Sequence, residues 1–151
     1  MVFFTNLLIG ALKGGAANVR GRVSAASIYA YAEAALGAWQ QRPLYKSHAA
    51  HLEPVRTCIP TVQDDVLRSL PTSYPAEDFE LKLDPTFEET NQACAVPENV
   101  AIFKRLKRLQ IGGLVKPKSG DDLYWSAERP GFVLLTELGK FYRQLSIDGR
   151  I

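Results

Sequence analysis

Cys94 is the residue of this 151-residue chain best suited to nucleophilic chemistry, and His48 and His51 are the only two imidazoles that could serve it. A cysteine attacks a carbonyl as its thiolate. It therefore needs a base close by, and backbone N–H groups placed to hold the oxyanion that forms. The stretch "NQACAVPENV" offers neither in an obvious form. Ala95-Val96 follow the thiol, and a β-branched valine lacks the backbone freedom that a glycine would bring to an oxyanion cradle. The preceding "DPTFEETN" is acidic and loop-like, with no apolar strand to present a nucleophile. The sequence predicts an unreactive cysteine on a loop before a helix.

His48 and His51 are three positions apart, so one helical turn could bring them together as partial metal ligands. No Asp, Glu or Cys follows at a spacing that would complete the set. They read as surface or hydrogen-bonded side chains, and no metal or cofactor is expected. Two cysteines, Cys58 and Cys94, are too few for a disulfide scaffold, which favours a reducing, cytoplasmic setting.

The elements that must position these residues follow from periodicity and breakers. Thr5 is placed to cap a first helix with Leu7, Leu8, Ala11 and Leu12 on one face, ending at Gly14-Gly15. Ser24 caps a second, on which Ile28, Tyr31, Ala32, Ala35 and Leu36 recur at helical spacing up to Gly37. "RPLYKSH" reads as extended, and Pro54 and Pro60 bracket a loop. Thr61 and Asp64 form a capping-box variant ahead of Val66, Leu67 and Leu70, with Pro71 as the stop. Residues 71–97 carry four prolines and one alternating stretch, "FELKL".

Pro97 then suits the first turn of a helix whose stripe is Ile102, Phe103, Leu106 and Leu109, ended by Gly112-Gly113. "LVKPK", "DLYWSA" and "FVLLT" read as three strands joined by "SGDD" and "ERPG", and "ELGKFYRQL" as a closing helix. In that reading Tyr124 and Trp125 alternate on a strand. One belongs to the core, and the exposed one is open to a protein contact.

The net charge of +2 implies no general attraction to nucleic acid or membrane. Its distribution is uneven: six basic against two acidic residues over 1–60, two against eight over 61–96, and ten against six over 97–151. Charges of opposite sign within one fold are expected to pair. "MVFFTNLLIGALKGG" lacks the charged start of a signal peptide, and no run has the length of a membrane span.

Two resemblances organise these segments. Gln92-Ala93-Cys94 is similar to the start of the pentapeptide that bears the caspase nucleophile, but the glycine of that motif is missing here. The stronger likeness lies in "FFTNLLIGALKGGAANVRGRVSAASIYAYAEAALG". Through Phe4-Thr5, Ala11-Leu12, Gly15-Ala16, Gly21, Val23-Ser24, Tyr29 and Tyr31 it resembles the closing segment of bacterial caspase-like and metacaspase-like cysteine peptidases (the C14 type). "QRPLYKS" and "LDPTFEET" resemble C-terminal extensions of some bacterial members. In that family the catalytic histidine and cysteine precede this segment. The resemblance therefore implies a non-catalytic C-terminal region with no catalytic residue to carry over. It also implies apolar faces around Leu8, Leu12, Ile28 and Leu36 that need a partner: the rest of the chain, a second copy, or the remainder of such a peptidase.

"LKRLQIGGLVKP", the strands around "ERPG" and "LLTELGKFY" resemble the back half of winged-helix domains. That likeness implies a rival role in nucleic-acid binding, with Lys104, Arg105, Lys107, Arg108, Lys116, Lys118 and Arg129 on phosphates. It meets two objections: the proline-rich tract interrupts the preceding helix pair, and Gln110 is nearly alone as a base-reading side chain. The expected architecture is α+β and mostly helical. Residues 1–60 form the closing segment of a caspase-like domain, 61–96 an acidic Pro-rich connector, and 97–151 a small winged-helix-like helix and β-hairpin module. The expected function is packing, regulation or partner docking.

Overall fold

The computed structural model describes residues 2–36, 44–47, 53–90 and 93–151, which gather into two units, 1–61 and 62–151. The architecture is α+β and mostly helical, as the sequence predicts.

In the first unit the apolar run "VFFTNLLIG" forms α1 (Val2–Gly10). It continues into one wide π-type turn, Ala11–Gly15, where Gly14 takes φ +118. Thr5, expected as the cap, lies inside α1. After a turn, β1 (Arg22–Val23) pairs antiparallel with β2 (Arg56–Thr57), Arg22 opposite Thr57 and Val23 opposite Arg56. The loop expected between Pro54 and Pro60 thus holds a short strand. Gly21 makes the pairing possible: its φ is +75, and a Cβ there would stand 2.3 Å from the Cys58 carbonyl oxygen.

Helix α2 (Ala25–Ala35) opens as expected at Ser24. The Ser27 N–H donates to Ser24 Oγ at 3.1 Å and the Ser24 N–H to Ser27 Oγ at 2.9 Å, a reciprocal box that satisfies two otherwise orphaned donors. Tyr31 of α2 packs over Gly10 and Gly15, and a Cβ on Gly15 would lie 2.7 Å from its ring. Among the described residues of this unit, Ala11, Val23 and Ala32 are the buried apolar ones. Gly37, His48 and His51 lie outside the described residues.

In the second unit, the tract expected to be a connector is the first third of a packed fold. Helix α3 (Asp64–Arg68) and helix α4 (Leu70–Ser73) bury Leu67 and Leu70. Gln63 stands at the start of α3 without a side-chain cap, so the Thr61–Asp64 box does not form. Pro71 does not end a helix but occupies the first turn of α4, where its missing N–H costs nothing. Strand β3 (Leu81–Lys82) arises from the alternating stretch, and a 3-10 turn, Pro85–Phe87, is capped by Asp84.

Helix α5 (Pro97–Ile111) carries the predicted stripe, with Phe103, Leu106 and Leu109 buried. Gly113 at φ +72 turns the chain into β4 (Val115–Pro117). The next segment departs from the strand reading. "DLYWSA" enters helix α6 (Leu123–Glu128) because Asp122 Oδ1 accepts the Tyr124 N–H at 2.9 Å, and because Leu123, Ser126 and Ala127 bury one helical face.

Strand β5 (Phe132–Leu135) lies between β3 and β4, antiparallel to both, in the order β3-β5-β4. Helix α7 (Glu137–Ile147) closes the unit. Thr136 caps it through the Gly139 N–H at 3.1 Å. Gly139 comes so near β4 that a Cβ would stand 2.0 Å from the Leu114 carbonyl oxygen. The core of this unit is Leu67, Leu70, Tyr74, Leu83, Leu106, Leu109, Leu114, Leu123 and Val133.

Candidate functional site

Cys94 lies where the loop reading places it, exposed in the turn that precedes α5. Its thiol donates weakly to the Pro85 carbonyl oxygen at 3.7 Å. The loop is tied down from behind, since the Val96 N–H donates to the Thr86 carbonyl at 2.9 Å and Asn99 Nδ2 to Thr86 Oγ1 at 2.7 Å. Thr86 in turn bonds Asp84, whose carboxyl sits below the ordinary aspartate range because the Thr86 hydroxyl, and then its N–H, donate to it. This is a structural turn. The Val96 N–H, which follows the thiol closely enough to serve an oxyanion, is already committed to Thr86. Cys58, in the first unit, donates weakly to the Leu12 carbonyl at 3.9 Å.

The first unit has an open apolar groove between its two helices, enclosing about 310 Å³. Phe4 and Leu8 of α1 face Ala25, Ile28, Tyr29 and Ala32 of α2, with Leu44 and Tyr45 at the rim. Tyr45 stacks on Tyr29, ring centroids 5.4 Å apart. Leu8 and Ile28 were singled out by their spacing. Leu44 and Tyr45, read only as extended chain, were not recognised as part of the same surface. Phe4 is 44 % exposed and Leu44 82 %, large apolar side chains left facing water.

The seven basic candidates separate into two sets. Lys104 pairs with Glu89 at 2.9 Å, Lys107 with Glu88 at 3.5 Å and Lys118 with Glu80 at 2.7 Å. Lys107 also lies 4.4 Å over the Phe103 ring and Lys118 5.7 Å over that of Phe132. The expected attraction between the basic helix and the acidic tract is thus made within one unit. Glu88 is buried, accepts from the Thr90 hydroxyl at 3.2 Å, and relies on Lys107 for its countercharge. Arg105, Arg108, Lys116 and Arg129 have no carboxylate partner among the described residues, and all four are exposed.

Tyr124 and Trp125 do not divide between core and solvent. Being neighbours on the outer face of α6 they both face water, 37 % and 49 % exposed, in edge-to-face contact at 5.2 Å. The Arg129 guanidinium lies 5.4 Å from the Trp125 ring. The four-residue interval between them held this signal, but only for a helix; the strand reading concealed it.

Among the described residues, no helix is long and apolar enough to cross a membrane. Comparison of the chain with models of protein families, with curated proteins and with solved structures finds no match.

Proposed function

We propose that this chain is a non-catalytic C-terminal region of a bacterial caspase-like cysteine peptidase, working in the cytoplasm in packing, regulation or partner docking. The observation that carries the reading is the uncovered groove between α1 and α2, built on the residues of the resemblance: Phe4, Leu8, Ile28 and Tyr29. A surface this apolar is disfavoured in water and is stabilised when another protein surface covers it. The remainder of such a peptidase, or a second copy of the chain, is the expected cover. The exposed, loop-held Cys94 supports the non-catalytic half of the proposal.

Two measurements test it. Peptides containing Arg or Lys should remain uncleaved by the purified chain; cleavage that Cys94→Ala abolishes would overturn the non-catalytic reading. A caspase-like catalytic domain with its own cysteine and histidine should co-purify with the chain, and Leu8→Asp or Ile28→Asp should abolish this while α7 and β5 keep their amide protection. Undiminished capture by both variants would remove the groove from the proposal.

One observation favours the second reading, a winged-helix nucleic-acid binder. A three-stranded antiparallel sheet of order β3-β5-β4, with α5 leading directly into β4, supports it, while helix α6 between β4 and β5 stands where a wing hairpin was expected. Arg105, Arg108, Lys116 and Arg129 are the candidate cations with no carboxylate partner among the described residues. The internal pairing of Lys104, Lys107 and Lys118 weighs against it, because each would have to leave a carboxylate to meet a phosphate. DNA binding that weakens with salt and disappears in Lys104→Glu and Arg108→Glu would promote this reading over the first.

A further inference from the structure

A hollow of about 340 Å³ opens on the second unit between the turn at Ser119–Asp121, helix α6 and the turn at Arg129–Gly131. Four features distinguish it from an ordinary surface dip. Its wall is Trp125, an indole half in water although its helix is anchored by Leu123 and Ala127 on the opposite side. Its lining includes the hydroxyl-bearing side chain of Ser126, 4 % exposed. Arg129 stands at the rim, held over the indole by its own N–H donating to the Trp125 carbonyl at 2.9 Å, and without a carboxylate of its own. The far wall is rigid, since the Gly131 N–H donates to the Ser126 carbonyl at 3.0 Å and the Leu83 N–H to the Gly131 carbonyl at 2.8 Å.

We propose that this hollow is a docking site for a segment of a partner polypeptide that presents an Asp or Glu side chain beside an apolar one. The carboxylate meets the Arg129 guanidinium and the Ser126 hydroxyl, and the neighbouring side chain lies on Trp125. A planar guanidinium with no carboxylate partner among the described residues can bind one through paired, charge-assisted hydrogen bonds. Trp and Arg, the two large side chains lining this hollow, are residue types that concentrate binding energy at protein contacts. Nucleic acid fits less well. Residues 116–132 hold three basic and three acidic side chains, so no positive field draws in a phosphate backbone. Asp121, also on the lining, opposes an anion and gives the proposal a sign to test.

The experiment is an NMR titration of the ¹⁵N-labelled full chain, following the indole N–H resonance assigned to Trp125 by its loss in Trp125→Phe. The probe is N-acetyl-aspartyl-phenylalanine amide, with N-acetyl-asparaginyl-phenylalanine amide as its neutral isostere. The acidic peptide should shift the resonance saturably and bind about tenfold more tightly than the neutral one. Arg129→Gln should erase that preference, and Asp121→Asn should tighten the acidic peptide by roughly twofold. Both residues are exposed, and unchanged amide spectra elsewhere establish that each variant folds. Equal affinity for the two peptides, no shift of the Trp125 resonance, or tighter binding after Arg129→Gln would each overturn the proposal. A single-stranded oligonucleotide that shifts the resonance where the peptide does not would overturn it in favour of nucleic acid.

Discussion

Arg143 is the charged side chain on which the second unit most depends. The residue is 8 % exposed, and its guanidinium crosses from α7 to the end of α4, where Nε donates to the Tyr74 carbonyl at 2.6 Å and Nη2 to the Pro75 carbonyl. Those carbonyls lie just past a helix that ends with no side-chain donor of its own, and removing their partner leaves two acceptors unpaired. Arg143→Leu should lower stability by about 2–4 kcal/mol in a denaturant titration, with Arg143→Lys recovering part of it. Asp84 acts at the opposite end of the pH scale. Hydrogen bonds from Thr86 depress its folded pKa, so its contribution is complete above the ordinary aspartate range and is lost as pH falls through the depressed value. The denaturation midpoint should therefore fall as pH drops below about 4, the ordinary aspartate value. That fall should be smaller in Asp84→Asn, which keeps the cap and removes the proton equilibrium.

At the scale of elements, helices with strong punctuation were legible and short strands were less so. Ser24 and Pro97 open helices where the sequence places them, because each solves a local problem of backbone donors that no tertiary contact needs to settle. Strand β3 was visible as alternation, and β4 and β5 as short runs bounded by turns. Helix α6 was not, because six residues fit a period of two as readily as one of 3.6. Capping by Asp122 and the burial of Ser126 decide it, and the second is a tertiary fact. The same limit hid Trp125 and Arg129 as a pair, while Leu8 and Ile28 could be read from spacing alone. Gly139 is the residue that fixes how α7 meets β4. Gly139→Ala would drive a methyl group into the Leu114 carbonyl and should cost about 3 kcal/mol. Gly113→Ala, where space is open and only the positive φ resists, should cost about 1 kcal/mol in the same thermal melts.

For the molecule as a whole, one group reports on the integrity of the second unit. Tyr74 is fully buried, its hydroxyl has no hydrogen-bond partner among the described residues, and burial raises its phenol pKa well above the ordinary tyrosine value. The folded-state value lies above the unfolded one, so this tyrosine adds stability up to about pH 10 and loses it as alkali rises further. Four of the other five tyrosines, at 29, 31, 45 and 124, are only partly buried or exposed. A spectrophotometric base titration should accordingly show a late phenolate, appearing in step with the collapse of the circular dichroism, and Tyr74→Phe should diminish it. The chain thus carries a chromophore that stays dark in the intact protein and brightens only when its surroundings come apart.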